Sequence, residues 1–510
     1  MTLHTYLPQD RLRAIANDIA LPNRTSGSAL FADISGFTAL TESLRESLGT
    51  RLGAEELSKQ LGEVYSALIA EIEQAGGSVI GFAGDAMLCW FYEAHGSSAV
   101  RATDCAFAMQ AAIQAFPTLG LKVAIASGNV RRFVVGDPEI QRLDILAGVT
   151  VARTADGEHL AMSGDVLVDE VTAQELGSMV VIKEWRSAAE DSPKFAAVSQ
   201  SQTSPSQLYT AQPEVVTPVL QALRPYVHKD VYIRETSGQG TFLTEFRPCV
   251  ALFVRFMGID YDADSAEGEL DAFIRQVQKI ASRYDGTLLD IIIGDKGSYA
   301  YVNFGALAAH EDDSRRAVKA ALELRNKTEL QLQMGITQGV MRVGAYGGTT
   351  RMTYGALGDD VNLAARLMTA ASTDEILLSG HVHKTVAHDF VTETRPAMSV
   401  KGKAEPVTVF KLVDEQQRRA IRLQEPTYAL PMVGRVEELG IINDKLALAE
   451  KGQGQVIGIV AEAGLGKSRL VAEVIPLRTS QGLRRVWRRV SIRQYPYAVS
   501  GMEKYLGRVL

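Results

Sequence analysis

Cysteine is scarce in this chain. Its 510 residues hold three, Cys89, Cys105 and Cys249, widely spaced and without a CxxC pair. That excludes a disulfide scaffold and a cysteine-rich zinc site, and it suits a reducing compartment. No uninterrupted apolar run approaches the ~18 residues of a membrane-spanning helix. The opening stretch, MTLHTYLPQDRLRAIANDI, is broken by Asp10, Arg11 and Arg13 and does not read as a signal peptide. Basic charge is not in excess: 53 Lys plus Arg stand against 60 Asp plus Glu, a net charge of −7. Nothing global therefore draws the chain to DNA or to an anionic membrane. The expectation is a cytoplasmic protein with no nucleic-acid partner and no membrane insertion. What is present is the balance of a globular chain, 46% apolar and 22% charged, with length for two to four domains.

The most informative pattern is an imperfect internal repeat. SALFADISGF, from Ser28, is a strand ending in glycine. Two helical stretches follow, the second over residues 55–75 with Leu57, Leu61, Val64, Leu68 and Ile72 at three- and four-residue steps. VIGFAGDAMLCWF reads as a hairpin around Gly84-Asp85, a helix lies near 98–116, and LKVAIASG is a strand. The order recurs from Cys249: CVALFVRFMG, a helix over 267–284, the hairpin TLLDIIIGDKGSYAYVNFG, a helix over 312–326 and the strand LQLQMGITQG. Alignment sets Asp33 against Arg255 and Asp85 against Ala300, offsets of 222 and 215 residues. Helices alternating with hairpin-paired strands predict an α+β sheet covered by helices, not a parallel βαβ array.

The predicted divisions are an N-terminal segment (1–24), a first repeat (25–185), a Ser-, Gln- and Pro-rich linker with a connecting segment (186–245), a second repeat (246–415), a short linker (416–430) and a different third segment (431–510).

Asp33 closes the first strand and Asp85 sits at a hairpin tip. Either alone is an ordinary turn or cap residue. On neighbouring strands, the two carboxylates converge beside a glycine turn. That suits Mg²⁺, which takes oxygen ligands and completes its shell with water and substrate phosphates. The turn Ser35-Gly36-Phe37-Thr38 opens a helix whose free N–H groups can hold a terminal phosphate.

FADISGFT followed by FAGDAML resembles the metal-binding half of a class III nucleotidyl cyclase, the family that includes the soluble adenylyl cyclases. GDKGSYAYVNFG and YGALGDDVNLAARLM resemble the complementary, nucleotide-binding half. The resemblance covers roughly residues 25–415. It implies two ferredoxin-like domains paired head to tail in one chain around a single composite site. It equates Asp33 and Asp85 with the two metal aspartates and the Ile34 carbonyl with the backbone ligand, for two Mg²⁺ or Mn²⁺ ions. It gives Asn362 the orienting of the ribose and Arg366 the stabilising of charge on the attacked phosphorus. The two are four apart on a helix beginning near Asp360 and so share a face. Lys296 matches the lysine that reads adenine, whose N1 accepts a hydrogen bond, whereas guanylyl cyclases of the family use an acidic residue there. Gly355 stands where the adenine partner is ordinarily Asp or Thr, so that half of the base reading falls to backbone or water.

The repeats are complementary in what they lack. The second has Arg255 and Ala300 where metal ligands belong; the first has Gly81 opposite Lys296 and VTVARTAD in place of VNLAAR. One complete site can form and its twin cannot. In soluble relatives the twin takes bicarbonate through a lysine and an arginine. Here those positions are Gly81 and, only with a shifted alignment, Arg153. A phosphate-binding lysine of the relatives aligns with Ala124, and Lys122 on the same strand face is its candidate substitute.

In the third segment AEAGLGKSRL resembles a Walker A loop: Gly464 and Gly466 let the backbone curl, Lys467 reaches phosphates and Ser468 can ligate Mg²⁺. Ala461 replaces its first glycine, and no Walker B run follows. It reads as a partial P-loop α/β segment, with MVGR…EL like the start of ATPase domains appended to such cyclases. His381, His383 and His388 read as loop and helix rather than a metal site. RRVWRRVSIRQYPY reads as a strand of the third segment rather than a nucleic-acid surface. The sequence thus predicts an adenylyl cyclase acting on ATP. Its rivals are a guanylyl cyclase and a catalytically degenerate nucleotide-sensing module.

Overall fold

The computed structural model describes residues 3–189, 192–201, 220–237, 244–294, 297–398, 406–416, 434–455, 457–459 and 470. For 37–39, 41, 42, 45, 46, 48–52, 54, 55, 294, 449 and 450 it describes the backbone alone. Residues 1–416 form one unit containing both repeats, and residues 417–510 form another.

After α1 (Gln9–Ala16), the first repeat runs β1 (Arg24–Ser35), α2 (Phe37–Gln74), β2 (Ser78–Ala83), β3 (Ala86–Tyr92), α3 (Ser98–Ala112), β4 (Gly120–Val135), β5 (Leu143–Ala147), α4 (Val149–Leu160), β6 (Val166–Asp169), α5 (Glu170–Leu176), β7 (Val180–Arg186) and β8 (Phe195–Gln200). The short helices α6 (Leu220–Leu223) and α7 (Lys229–Thr236) connect it to the second repeat. That repeat runs β9 (Glu245–Met257), α8 (Ala266–Arg283), β10 (Gly286–Gly294), β11 (Gly297–Phe304), α9 (Asp313–Lys327), β12 (Gln331–Gly347), β13 (Met352–Leu357), α10 (Asp359–Ala370), β14 (Glu375–Ser379), α11 (Gly380–Val386), β15 (Phe390–Met398) and β16 (Val407–Glu415).

The sheets share one topology. Each has eight strands, ordered β2-β3-β1-β4-β6-β8-β7 with β5 on β4, and β10-β11-β9-β12-β14-β16-β15 with β13 on β12. The α+β duplication read from the sequence is therefore present in the strand order itself. The apolar stripe of α2 does what its spacing demands: Leu57, Leu61, Val64, Leu68 and Ile72 are buried against Leu30, Ala32 and Ile34 of β1.

Two expectations are corrected. The two helices foreseen after β1 are one 38-residue helix, α2. The segment expected as linker from residue 186 still carries sheet. Phe195, Ala196, Ala197 and Val198 are buried in β8 between β6 and β7: Phe195 packs beneath Gly157 of α4, and Ala196 and Val198 join the core of the first domain. The N-terminal segment is built into the unit: Leu3, Leu7 and Leu12 pack with Leu223, Val227, Val231 and Leu307 from both sides of the connection.

The two-domain unit is held by reciprocal arms. Phe133, Val135, Ile145 and Ala147 of β4 and β5 enter the core of the second domain, while Tyr346 and Leu357 of β12 and β13 enter that of the first. Arg131 pairs with Ala147 just before α4, and Arg342 pairs with Leu357 just before α10. The two arginines are therefore equivalent, and each crosses to the other domain. Arg131 Nη1 donates to the Ala263 carbonyl at 2.9 Å, and Arg342 Nη2 donates to Ser58 Oγ at 3.0 Å.

In the other unit α12 (Val436–Glu450) buries Ile442 and Leu446 with Leu470. Gly464, Gly466, Lys467 and Ser468, and the arginine-aromatic stretch, lie outside the described residues. No described helix is long and apolar enough to cross a membrane.

Candidate active site

The site begins where β1 ends. Asp33 pairs with Ala86 of β3 on one side and Lys122 of β4 on the other. Asp85 directly precedes Ala86 in the two-residue turn that closes β2 and β3, where Ala83 faces Ala86. Pairing thus delivers the two carboxylates to one corner. Burial, and then the neighbouring charge of Asp33, push the Asp85 carboxyl up to about 7. Gly36 caps the start of α2 with φ +93°, and a Cβ there would lie 2.7 Å from the Thr118 carbonyl, so only glycine makes this turn. Phe37 and Thr38 begin α2, and only their backbone is described. Ile34 commits its side chain to the core, which leaves only its carbonyl for a ligand.

Among the described residues no three His, Cys, Asp or Glu side chains gather around a metal position, and none involves His381, His383 or His388. Two carboxylates plus a carbonyl are nonetheless a fitting donor set for Mg²⁺ or Mn²⁺, whose remaining positions go to water and phosphate oxygens.

Lys122 Nζ lies 3.0 Å from Asp33 Oδ2 and also pairs with Glu158 from the last turn of α4. Its amine faces the acidic corner instead of standing free as a phosphate-binding substitute. Ala124 is fully buried beneath Gly157, where a lysine would not fit.

From the second domain, α10 is capped by Gly358 and buries Val361, Leu363, Ala364, Leu367 and Met368. Asn362 and Arg366 stand one turn apart on its exposed face, as their spacing predicts. Asn362 lines a cleft of ≈ 1110 Å³ shared with Leu57 of α2 and Arg342. Asp33, Asp85, Gly355 and Arg366 do not line that cleft. The acidic corner meets the second domain through rings instead. Tyr346 is 5.7 Å from Phe82 and 6.3 Å from Tyr65 between centroids, and Asp85 raises the pKa of both tyrosines after burial has done so. Lys296 lies outside the described residues.

The pairing also revises the twin site. Arg24 faces Arg131 and Phe246 faces Arg342, so Asp33 corresponds to Arg255 as expected. Arg255 then faces Tyr299 where Asp33 faces Ala86, which makes Ser298, not Ala300, the counterpart of Asp85. By the same ladder Gly81, facing Leu88, corresponds to Asp290, facing Tyr301, rather than to Lys296. The longer second hairpin displaces its tip by two residues, which a motif alignment hides. The helix caps Gly148 and Gly358 equate Arg366 with Asp156. Arg153 is three residues short of that position and pairs with Asp169 at 3.1 Å.

Sequence reasoning missed Glu158, Arg342 and Tyr346. Only Tyr346 left a trace, through the unusual Gly355: a Cβ there would lie 2.8 Å from the Tyr346 ring, which fills the space of the missing side chain.

Residues 308–413 match the family Adenylate and Guanylate cyclase catalytic domain. The chain is 22% identical to adenylate cyclase type 10 of Mus musculus over 504 residues, covering 88% of this chain and 30% of that protein. To the Homo sapiens protein of the same name it is 25% identical over 391 residues, 67% of this chain and 24% of the relative. The chain thus spans less than a third of these relatives. A class III adenylyl cyclase-like ATP-binding protein from Pseudomonas aeruginosa, 13% identical, superposes with a TM-score of 0.50 over 74% of this chain and 93% of its own, a likeness of fold. Residues 308–413 thus match an adenylate and guanylate cyclase catalytic domain, the two repeats share one strand order, and most of the chain is similar to the adenylate cyclases type 10.

Proposed function

We propose that the chain is an adenylyl cyclase that converts ATP into 3′,5′-cyclic AMP and pyrophosphate at one composite site between its two domains. The observation that carries this reading is the convergence of Asp33 and Asp85 beside the glycine-started helix α2. Only the first domain has this pair, while only the second has the amide and guanidinium of α10. Similarity to adenylate cyclases type 10 supports ATP as substrate.

Asp33, Asp85 and the Ile34 carbonyl hold the divalent cations, Mg²⁺ or Mn²⁺. When bound, these supply Lewis acidity toward the ribose 3′-hydroxyl and charge neutralisation toward the triphosphate. The backbone N–H groups of Gly36, Phe37 and Thr38 receive phosphate oxygens at the start of α2. Asn362 orients the ribose. The 3′-oxygen attacks the α-phosphorus in line, the bond to the β-phosphate bridging oxygen breaks, pyrophosphate leaves, and the hydroxyl proton passes to solvent. Arg366 spreads its fixed charge and planar donors over the phosphoryl oxygens as that happens. Lys296 reads adenine N1, with Gly355 as part of the base wall. The P-loop residues Gly464, Gly466, Lys467 and Ser468 form a second nucleotide site.

A guanylyl cyclase is the second reading, favoured by one observation. Asp290, an acid, occupies the sheet position of Gly81 and influences Tyr346, the ring that fills the side of Gly355. Incubating the chain with ATP or GTP and Mg²⁺ or Mn²⁺, then separating products, decides. Cyclic AMP supports the first reading and cyclic GMP the second. Tight nucleotide binding without either product makes the chain a nucleotide-sensing module.

A further inference from the structure

The cyclase reading employs Asp33 and Asp85 and leaves two charged neighbours without work. Lys122 is the direct cross-strand partner of Asp33, so both side chains rise from the same face of the sheet. Its Nζ lies 3.0 Å from Asp33 Oδ2 and contacts Glu158 on the other side. Glu158 is anchored on α4, only 12% exposed, with His159 Nδ1 3.3 Å away. Although burial opposes the charged form of Lys122, its hydrogen bond to Glu158 and the charge of Asp33 hold its pKa above the ordinary lysine value.

We infer that Lys122 is a movable counter-ion of the metal site and that Glu158 is the post to which its ammonium retreats when a divalent cation takes Asp33. The inference rests on Asp33 being a metal ligand. A cation of charge +2 bound at Asp33 repels an ammonium on the same carboxylate with twice the strength of two unit charges. The four-carbon lysine stem is flexible and its three donors point freely, so the amine can swing while keeping one carboxylate partner. In the metal-free chain Lys122 neutralises Asp33, which would otherwise face Asp85 uncompensated. With metal present, Glu158 prevents the displaced amine from competing. Both are positioning residues: neither touches the nucleotide in this account, and both set how readily the corner accepts its cation.

The test is Mn²⁺ binding to the full chain, read by electron paramagnetic resonance of free Mn²⁺ with and without a non-cyclisable ATP analogue. Lys122→Met should tighten Mn²⁺ by about tenfold and Glu158→Gln should loosen it by about as much. In the Lys122→Met background, Glu158→Gln should change little, because its effect runs through the amine. Lys122→Arg, whose planar fork grips both carboxylates at once, should loosen Mn²⁺ and serves if Lys122→Met does not fold. Unchanged or weaker binding in Lys122→Met, tighter binding in Lys122→Arg, or an undiminished Glu158→Gln effect in the double variant overturns the inference. If these shifts occur in a chain that makes no cyclic nucleotide, the catalytic reading fails and the counter-ion stands. If cyclic nucleotide forms while Lys122→Met leaves Mn²⁺ affinity alone, the reverse holds.

Discussion

Arg351 of the second domain donates from Nη2 to the Ile80 carbonyl of β2 at 3.0 Å, in the strand that leads into the Asp85 turn. The same guanidinium reaches Val79 O at 3.1 Å and Tyr6 O at 3.0 Å, and lies over the Phe82 ring. Burial lowers its pKa to about 10, with acids near enough to act on it but carbonyls as its hydrogen-bond partners. Arg351→Met should cost about 3 kcal/mol of stability, because buried carbonyls lose their donor. It should also lower turnover by loosening the hairpin that carries Asp85. Urea denaturation measures the first effect, and a stability change below ~0.5 kcal/mol would show that the clasp is dispensable.

Asp33→Asn should reduce cyclic product by at least about 100-fold, since the amide is a poor ligand where the metal supplies the Lewis acid. Stability should shift by less than ~1 kcal/mol, because the Asp33–Lys122 pair is partly solvated. Product assay and thermal melting on the same sample separate the two. Normal turnover would remove Asp33 from the site.

Tyr346 and Gly355 should behave as one unit. Gly355→Asp drives a side chain into the Tyr346 ring, 2.8 Å from where its Cβ must stand, and overpacking of this kind costs about 1–3 kcal/mol. In a Tyr346→Ala background the added Gly355→Asp change should cost much less and alter the ratio of ATP to GTP turnover. Strict additivity of the two changes, measured as melting free energies, would separate the residues.

Acid should unlock the N-terminal helix first. Despite burial, Arg132 and the hydrogen bonds around it hold the Asp10 carboxyl down at about 2 from its ordinary 3.8, and Asp144 is held down against burial by the same arginine. A depressed carboxyl stabilises the fold above the unfolded pKa. That contribution, about 2 kcal/mol for Asp10, disappears as pH falls from ~4 to ~2. Asp10→Asn should be less stable at pH 7 and show a flatter melting profile across that window. Parallel profiles for the two proteins would contradict the assignment.

What the sequence disclosed and what it hid divide along contact range. Asp33, Asp85, Gly36 and the α10 pair are local: a strand end, a hairpin turn, a glycine cap and a four-residue helical step announce them. The order of elements along the chain followed because the repeat carried it twice. Glu158 sits in VTVARTADGEHL, which reads as a plain helix, and meets Lys122 only because α4 lies across β1 and β4. Tyr346 matters through the absence of a side chain at Gly355, a relation across two strands. Phe195–Gln200 hid inside a Ser- and Gln-rich composition, since a short buried strand needs few apolar residues. The counterpart of Asp85 was misjudged because a hairpin longer by two residues on each strand keeps the sheet pairing while shifting the letters.

The equivalence of Arg131 and Arg342 implies that the backbone of either half could dock on a second copy of itself. In such a self-pair of front halves Asp156 would take the place of Arg366 on the facing helix, which leaves that helix without a guanidinium. Joining the halves in one polypeptide keeps the unlike partner at a local concentration on the order of millimolar. Covalent linkage therefore acts as a sorting device: it selects the mixed pairing over the two self-pairings that the shared architecture permits.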